Sequence, residues 1–169
     1  MNYMQIEKSS VSNGLGFRVV LWVSGCSLQC AYCHNQEAWD FNAGKEFTNE
    51  TKQKMFDVLG KEWIKGITFS GGHPLDDKNI ETVNGLISEI KEKFPIKDIW
   101  LYTGLDLTID DFMREDLLAD TLSNCDVVVD GQYINDLRDI TLAFRGSSNQ
   151  RIIDVKKTIA ANQIILMEE

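Results

Sequence analysis

Short apolar runs alternate with amphipathic stretches along most of the chain. Six runs rich in β-branched or aromatic residues predict strands: "FRVVLWVSG", "GITFSGG", "DIWLYTG", "CDVVVDG", "QRIIDV" and "NQIILM". Apolar residues at three- to four-residue spacing predict helices in "NETKQKMFDVLGKEW", "NIETVNGLISEIKEKF", "TIDDFMREDLLADTLS" and "VKKTIAAN". In the second of these helices Ile80, Val83, Ile87 and Ile90 share one face, and Pro95 ends the helix.

This alternation predicts the fold class. Nearly continuous apolar strands joined by helices are typical of a parallel sheet covered by helices. A complete eight-unit barrel takes about 250 residues, so a chain of 169 residues provides only about five or six βα units. We therefore expect an α/β fold, a parallel sheet of about five to six βα units forming an incomplete, open TIM-like barrel. We expect it to be one domain over residues 1–169.

Polar or glycine-rich turns follow the first four predicted strands. Cys26 comes after the first strand, Gly71 and Gly72 after the second, Thr103 after the third and Asp130 after the fourth. The carboxyl ends of parallel strands share one edge of a sheet, and α/β active sites lie there. The sequence thus predicts a functional site that gathers these residues.

Composition and charge narrow the function classes. A net charge of −9 with scattered Lys and Arg argues against a nucleic-acid partner, which would need a basic face. No apolar run approaches the roughly 18 residues of a spanning helix, so we expect no membrane segment. The N-terminus has no basic start followed by an apolar core, so we expect no secretion signal and a cytoplasmic protein.

Three of the four cysteines lie in "SGCSLQCAYCHNQ", where Cys26, Cys30 and Cys33 have the spacing C-x3-C-x2-C. Thiolates are the soft ligands that select zinc or iron–sulfur clusters. His34 could complete a four-ligand zinc site, but adjacent residues rarely aim at one small ion. Cys125 begins the fourth strand and is expected at the opposite edge of the sheet. A [4Fe-4S] cluster fits better, because three thiolates would hold three corners and leave one iron open.

The cysteine spacing after a first strand resembles the radical S-adenosylmethionine superfamily, and Tyr32, just before the third cysteine, also matches that pattern. Four further motifs, "SGGHPL", "WLYTG", "DVVVDGQY" and "RGSSNQRIIDV", are similar to those of the activating proteins of anaerobic ribonucleoside-triphosphate reductases. The motifs run in the expected order from Gly25 to Val155, which is most of the chain.

The resemblance implies a set of ligands and cofactors. The metal ligands would be Cys26, Cys30 and Cys33, and S-adenosyl-L-methionine would bind at the open iron. The cofactor-binding residues would be Tyr32, Cys33, His34, Gly71, Gly72, His73, Thr103 and Asp130. No catalytic side chain beyond the cluster and the cofactor is implied. For His34 a solvent-facing position stays open, as does a purely structural role for Thr103 and Asp130.

The resemblance also implies a reaction. An external one-electron donor such as flavodoxin would reduce the cluster, S-adenosylmethionine would be cleaved to methionine and a 5′-deoxyadenosyl radical, and the radical would take a hydrogen atom from a glycine of the large reductase subunit. Three alternatives stay open: an activase of a different glycyl-radical enzyme, a small radical enzyme acting on a metabolite, and a non-catalytic zinc module that binds a partner.

His73 departs from the family pattern, which usually has an acidic residue after the glycine pair. A carboxylate can accept a hydrogen bond from the methionine ammonium group, whereas imidazole can do so only when it is neutral. Backbone carbonyls of Gly71 and Gly72 could supply much of that contact whatever side chain follows. We therefore expect a modest loss of cofactor affinity rather than an inactive site.

Overall fold

The computed structural model describes residues 1–168, and within them it forms one seven-stranded sheet with five α-helices. The strands are β1 (Asn2–Ser10), β2 (Arg18–Val23), β3 (Lys45–Glu46), β4 (Gly66–Gly71), β5 (Asp98–Tyr102), β6 (Val127–Asp130) and β7 (Arg151–Asp154). The helices are α1 (Asn49–Leu59), α2 (Ile80–Lys93), α3 (Ile109–Met113), α4 (Leu117–Ser123) and α5 (Val155–Ala161). Each of these helices is too short or too polar to cross a membrane.

The sheet is open and mixed, in the order β3-β1-β2-β4-β5-β6-β7. Four strands, β2, β4, β5 and β6, run parallel to one another. The pairings of β1 with β2, β1 with β3 and β6 with β7 are antiparallel. The prediction of a TIM-like barrel built from parallel βα units was therefore wrong.

The connections explain why the outer strands reverse direction. Parallel neighbours need a crossover of a dozen or more residues, usually a helix, whereas antiparallel neighbours need only a return at one end. Residues 11–17 join β1 to β2, and residues 131–150 join β6 to β7, in both cases without an α-helix. The chain therefore re-enters the sheet from the end at which it left.

One long strand was not predicted, and one further strand prediction was wrong. The long strand β1 was missed because "NYMQIEKSS" has few β-branched residues and is mostly half-buried. The predicted strand "NQIILM" is only an isolated bridge between Leu166 and Ile153. The prediction of one domain over residues 1–169 stays a prediction, and its last residue lies outside the described part of the chain.

The third predicted helix is two short helices, α3 and α4. Arg114 ends α3 with an extended backbone, at φ −68° and ψ 159°. Asp116 then caps α4, because its side chain accepts a hydrogen bond from the backbone N–H of Ala119. The apolar periodicity continues across this break, so periodicity alone could not reveal it.

The two faces of the parallel strands have different neighbours. Side chains such as Leu21, Phe69 and Leu101 pack on α1 and α2 in the main core. The alternate residues form a second cluster around Trp100 and Val129. Near the carboxyl ends this second face becomes polar, and it lines the candidate site.

A buried ion pair lies at the amino ends of these strands, opposite the predicted site. Arg18 is fully buried, and its Nη2 is 2.6 Å from Oδ1 of Asp98. Its Nε donates to Oγ1 of Thr68 at 2.8 Å, and the guanidinium lies 5.2 Å from the ring centroid of Trp100. One side chain therefore connects β2, β4 and β5.

We expect Arg18→Ala to destabilise the protein by about 3 kcal/mol, because the largely buried Asp98 carboxylate would keep only Lys65, 3.9 Å away, as a charged partner. Urea unfolding of the cluster-free chain would measure this change. The matched control is Lys54→Ala, which removes an exposed ion pair of 2.7 Å with Glu50 and should leave the unfolding midpoint unchanged. Similar midpoints for the two variants would contradict a structural role for the Arg18 pair.

Candidate metal centre and cofactor cleft

Three cysteines lie on one loop, residues 24–36, called here the cysteine loop, which leaves the carboxyl end of β2. The backbone N–H groups of Gly25 and Cys26 donate to the carbonyls of Ala38 and Trp39 at 2.7 and 3.1 Å. Cys26 is 9% exposed, and the other two cysteines are half-buried. The returning segment therefore holds the start of the loop in place.

Two residues of the cysteine loop have a left-handed backbone. Gln29 has a φ of 43° and precedes Cys30, and Tyr32 has a φ of 58° and precedes Cys33. Such conformations cost energy in non-glycine residues and cluster at functional sites. In this loop the residues that follow them, Cys30 and Cys33, line a cavity. The side chain of Tyr32 itself is 73% exposed.

The thiols form a soft donor set that fits an iron–sulfur cluster. The backbone N–H of Asn35 lies 3.4 Å from Sγ of Cys33, the kind of donor that stabilises cluster sulfur. Burial and the neighbouring thiols Cys26 and Cys33 raise the pKa of Cys30. Bound iron would instead lower this pKa, because a metal ion favours the thiolate that coordinates it. Within residues 1–168, no three ligating side chains are gathered closely enough to hold a single metal ion.

The fourth cysteine, Cys125, lies apart from the loop, as expected from its place at the start of the fourth predicted strand. It is 1% exposed and its Sγ donates to the carbonyl of Thr121 at 3.3 Å. Burial strongly raises the pKa of this thiol. It is a small buried side chain beneath α4.

The glycine pair brings the end of β4 into backbone contact with the cysteine loop. A Cβ atom on Gly71 would lie 2.6 Å from the backbone N and O of Val23, and its φ of +108° also favours glycine. A Cβ atom on Gly72 would lie 2.4 Å from the carbonyl oxygen of Gly25. Hydrogen bonds from Gly72 to Val23 and from His73 to Gly25, at 2.8 and 2.7 Å, complete this contact.

His73 is buried at this contact, with 4% of its surface exposed. Its Nε2 lies 2.8 Å from Oγ1 of Thr103, and this hydroxyl oxygen accepts a hydrogen bond from the N–H of Leu105 at 3.2 Å. Burial lowers the pKa of His73, and the nearby carboxylate of Asp76 opposes this only in part. The imidazole is therefore neutral near pH 7, the form in which one ring nitrogen can accept a hydrogen bond.

Eight of the predicted site residues line one cavity of about 130 Å³ at the carboxyl ends of the parallel strands. They are Cys26, Cys30, Cys33, His34, Gly71, Gly72, His73 and Thr103. Tyr32 and Asp130 are not part of this lining. His34 lines the cavity with an exposed side chain, so both of its predicted roles stay open.

Asp130 is fully buried at the end of β6, and the structure uses its carboxylate to join strands. Oδ1 accepts from Nε of Arg151 at 3.0 Å, and Oδ2 accepts from Nη2 of Arg151 and, at 3.0 Å, from the N–H of Leu107. These bonds support the structural alternative for Asp130. Its predicted cofactor contact stays a prediction.

Gly104 and Gly131, which follow Thr103 and Asp130 in the predicted turns, also line the cavity. Six further lining residues were not predicted from the sequence: Leu28, Trp39, Ser70, Tyr102, Tyr133 and Gln150. Strand alternation could have found Ser70 and Tyr102, because both lie on the strand face that does not pack on the helices. Strand alternation could not have predicted Gln150, because this residue lies outside the strands. Its side chain joins Gly131 to the turn at residues 146–147 through both its oxygen and its nitrogen.

A larger cavity of about 470 Å³ adjoins the first one, and the two share the residues His34, Ser70, Tyr102, Tyr133 and Gln150. Residues 138–146 of the segment between β6 and β7 form much of its wall. Trp22 also lines it, and the buried indole N–H of Trp22 has no hydrogen-bond partner among residues 1–168. A buried donor of this kind needs a partner, which a ligand in the cleft could supply.

Comparison with known proteins gives one consistent result. Residues 12–153 match the family model described as "4Fe-4S single cluster domain". The chain is 40% identical over 154 residues to the anaerobic ribonucleoside-triphosphate reductase-activating protein of Haemophilus influenzae, covering 90% of this chain and 97% of that protein. The proteins of the same name from Enterobacteria phage T4 and Escherichia coli K12 are 40% and 39% identical, over 90% and 89% of this chain and 93% and 96% of those proteins.

The buried His73 predicts a pH-dependent stability. Its lowered pKa means that below about pH 6.5 the unfolded chain takes up a proton that the folded chain does not. The free energy of unfolding should therefore fall as the pH falls from 7.5 to about 5.5. We expect His73→Gln to remove this part of the dependence in urea unfolding of the cluster-free chain.

The control for this experiment is His34→Gln, which changes the other of the two histidines in the chain. Because His34 is exposed, this variant should keep the wild-type pH dependence. The same pH dependence in wild type and His73→Gln would contradict a buried, neutral imidazole at position 73.

Proposed function

The chain belongs to the family of anaerobic ribonucleoside-triphosphate reductase-activating proteins, and from this membership we propose that it activates such a reductase by removing one hydrogen atom from a glycine. A bound [4Fe-4S] cluster and S-adenosyl-L-methionine would supply the one-electron and radical chemistry. The protein is in this proposal an oxidoreductase of the cytoplasm. Its electron would come from an external donor such as flavodoxin.

The observation that carries the proposal is the common cavity of the three thiols and the glycine turn. Cys26, Cys30 and Cys33 would hold three irons, and the fourth iron would be left for the cofactor. The turn at Gly71 and Gly72 presents backbone rather than side chains to this cavity, which suits the methionine amino group of the cofactor.

The larger cavity supports the entry of a polypeptide substrate. It joins the cysteine cavity and is walled by exposed residues such as Ile140, which is 81% exposed. The unpartnered N–H of Trp22 would donate to a backbone carbonyl of the entering segment. A glycine held there would lie next to the cofactor, and the bound segment would exclude water from the reaction.

Family membership also decides among the alternatives. The relatives activate anaerobic ribonucleoside-triphosphate reductases, as their names state, and the chain matches nearly their whole length. This favours the reductase over a different glycyl-radical enzyme or a metabolite. The match to a 4Fe-4S domain favours a cluster over a zinc module.

The decisive experiment tests the iron–sulfur site and the partner together. Anaerobically reconstituted protein should be brown and hold about four irons per chain. Mixed with a reductant, S-adenosylmethionine and the reductase, it should produce a glycyl radical detected by electron paramagnetic resonance. The control is Cys30→Ser, which should yield neither a stable cluster nor the radical. A colourless, zinc-loaded wild type would overturn the proposal, and a brown protein that forms no radical would reject this partner.

A second prediction concerns the unusual residue after the glycine pair. We expect His73→Asp to bind S-adenosylmethionine more tightly, by up to about tenfold, because a carboxylate makes a stronger hydrogen bond with an ammonium group than neutral imidazole does. Equilibrium dialysis with the reconstituted protein would measure the affinity. His73→Asn is the uncharged control and should not bind more tightly. Equal affinity of wild type and His73→Asp would show that side chain 73 does not contact the cofactor.

A further inference from the structure

The segment between β4 and α2, "HPLDDKN" (residues 73–79), carries two buried polar side chains that no part of the proposed reaction uses. Asp76 is 8% exposed and Asn79 is 1% exposed. Both reach back across the sheet edge to the start of the cysteine loop. Buried polar groups of this kind are costly unless they are fully hydrogen-bonded, so their partners show what they hold together.

Asp76 binds the residue that follows the first cysteine. Its Oδ2 accepts from the backbone N–H of Ser27 at 3.1 Å and from Oγ of Ser27 at 2.5 Å. Its Oδ1 accepts from the N–H of Lys78 at 3.4 Å, which fixes the carboxylate in its own turn. One carboxylate therefore joins the approach to α2 to the backbone between Cys26 and Cys30.

Asn79 binds the other side of the first cysteine. Its Nδ2 donates to the carbonyls of Ser24 and His73 at 2.9 and 3.0 Å, and more weakly to that of Gly25 at 3.4 Å. The two side chains therefore hold the backbone immediately before and after Cys26. They also attach it to the turn that carries the glycine pair.

We propose that Asp76 and Asn79 are positioning residues, which fix the Cys26 end of the cysteine loop against the glycine turn and so hold the first cluster ligand in place before and after the cluster binds. The inference rests on the proposed function, because it assumes that Cys26 ligates iron. Groups that orient metal ligands in this way commonly change metal affinity by about 10- to 100-fold when they are removed.

The test measures how fast the reconstituted protein loses iron to an excess of a chelator, well below the unfolding temperature. We expect Asp76→Ala to lose iron about 10- to 100-fold faster than wild type. Asp76→Asn keeps an oxygen that can accept from Ser27 and should stay much closer to wild type. The matched control is Asp77→Ala, an exposed neighbouring carboxylate, which should lose iron at the wild-type rate.

A double-mutant cycle separates positioning from general stability. Ser27→Ala removes the hydroxyl donor, so it should speed iron loss in the wild-type background and add little to Asp76→Ala. Additive effects of the two changes would overturn the inference, as would iron loss from Asp76→Ala at the wild-type rate. Either result leaves the proposed function intact, since wild type would still hold its cluster. A wild type that takes up no iron would overturn both.

Discussion

The site depends on the direct contact between two backbones, the glycine turn after β4 and the start of the cysteine loop after β2. A Cβ atom on Gly71 would clash with the backbone of Val23, and one on Gly72 would clash with the carbonyl oxygen of Gly25. Hydrogen bonds from the glycine turn to the loop then replace side-chain packing. Gly71 and Gly72 at this contact line the same cavity as the three thiols and His73.

The central parallel strands and the outer antiparallel strands of the mixed sheet contribute to the site in different ways. The four parallel strands deliver four turns to one edge, which is how residues distant in sequence meet around one cavity. The antiparallel strands β1 and β7 flank them without contributing a crossover helix. Because β7 returns from the site, the segment before it, residues 131–150, remains beside the cleft as its outer wall.

The sequence was informative where local chemistry determines structure. Cysteine spacing, a glycine pair and apolar strands predicted which residues meet at one edge of the sheet, because each acts through neighbours in sequence or through strand direction. The sequence did not predict features that depend on contacts between residues far apart in the chain. The direction of β7 depends on the absence of a crossover helix, and the roles of Asp130 and Gln150 depend on partners such as Arg151 and Gly131 across strands. The pattern of β1 was too polar for periodicity to reveal it.

The family resemblance leads one to expect a negatively charged side chain at position 73, where this chain has His73. The carboxylate of Asp76, three residues later, does not take its place. Asp76 is close enough to affect the pKa of His73, yet both of its oxygens accept hydrogen bonds from protein groups, one of them in the cysteine loop. Burial acts to raise the pKa of Asp76, but the hydrogen bonds from Ser27 and Lys78 together lower it below its usual value, so the carboxylate stays ionised. The neutral imidazole of His73 therefore contacts Thr103, while the carboxylate of Asp76 is hydrogen-bonded to Ser27 in the cysteine loop. In the proposed site, a cofactor bound at this turn would therefore rely on the backbone of the glycine pair, where close contacts with Val23 and Gly25 leave no space for a side chain.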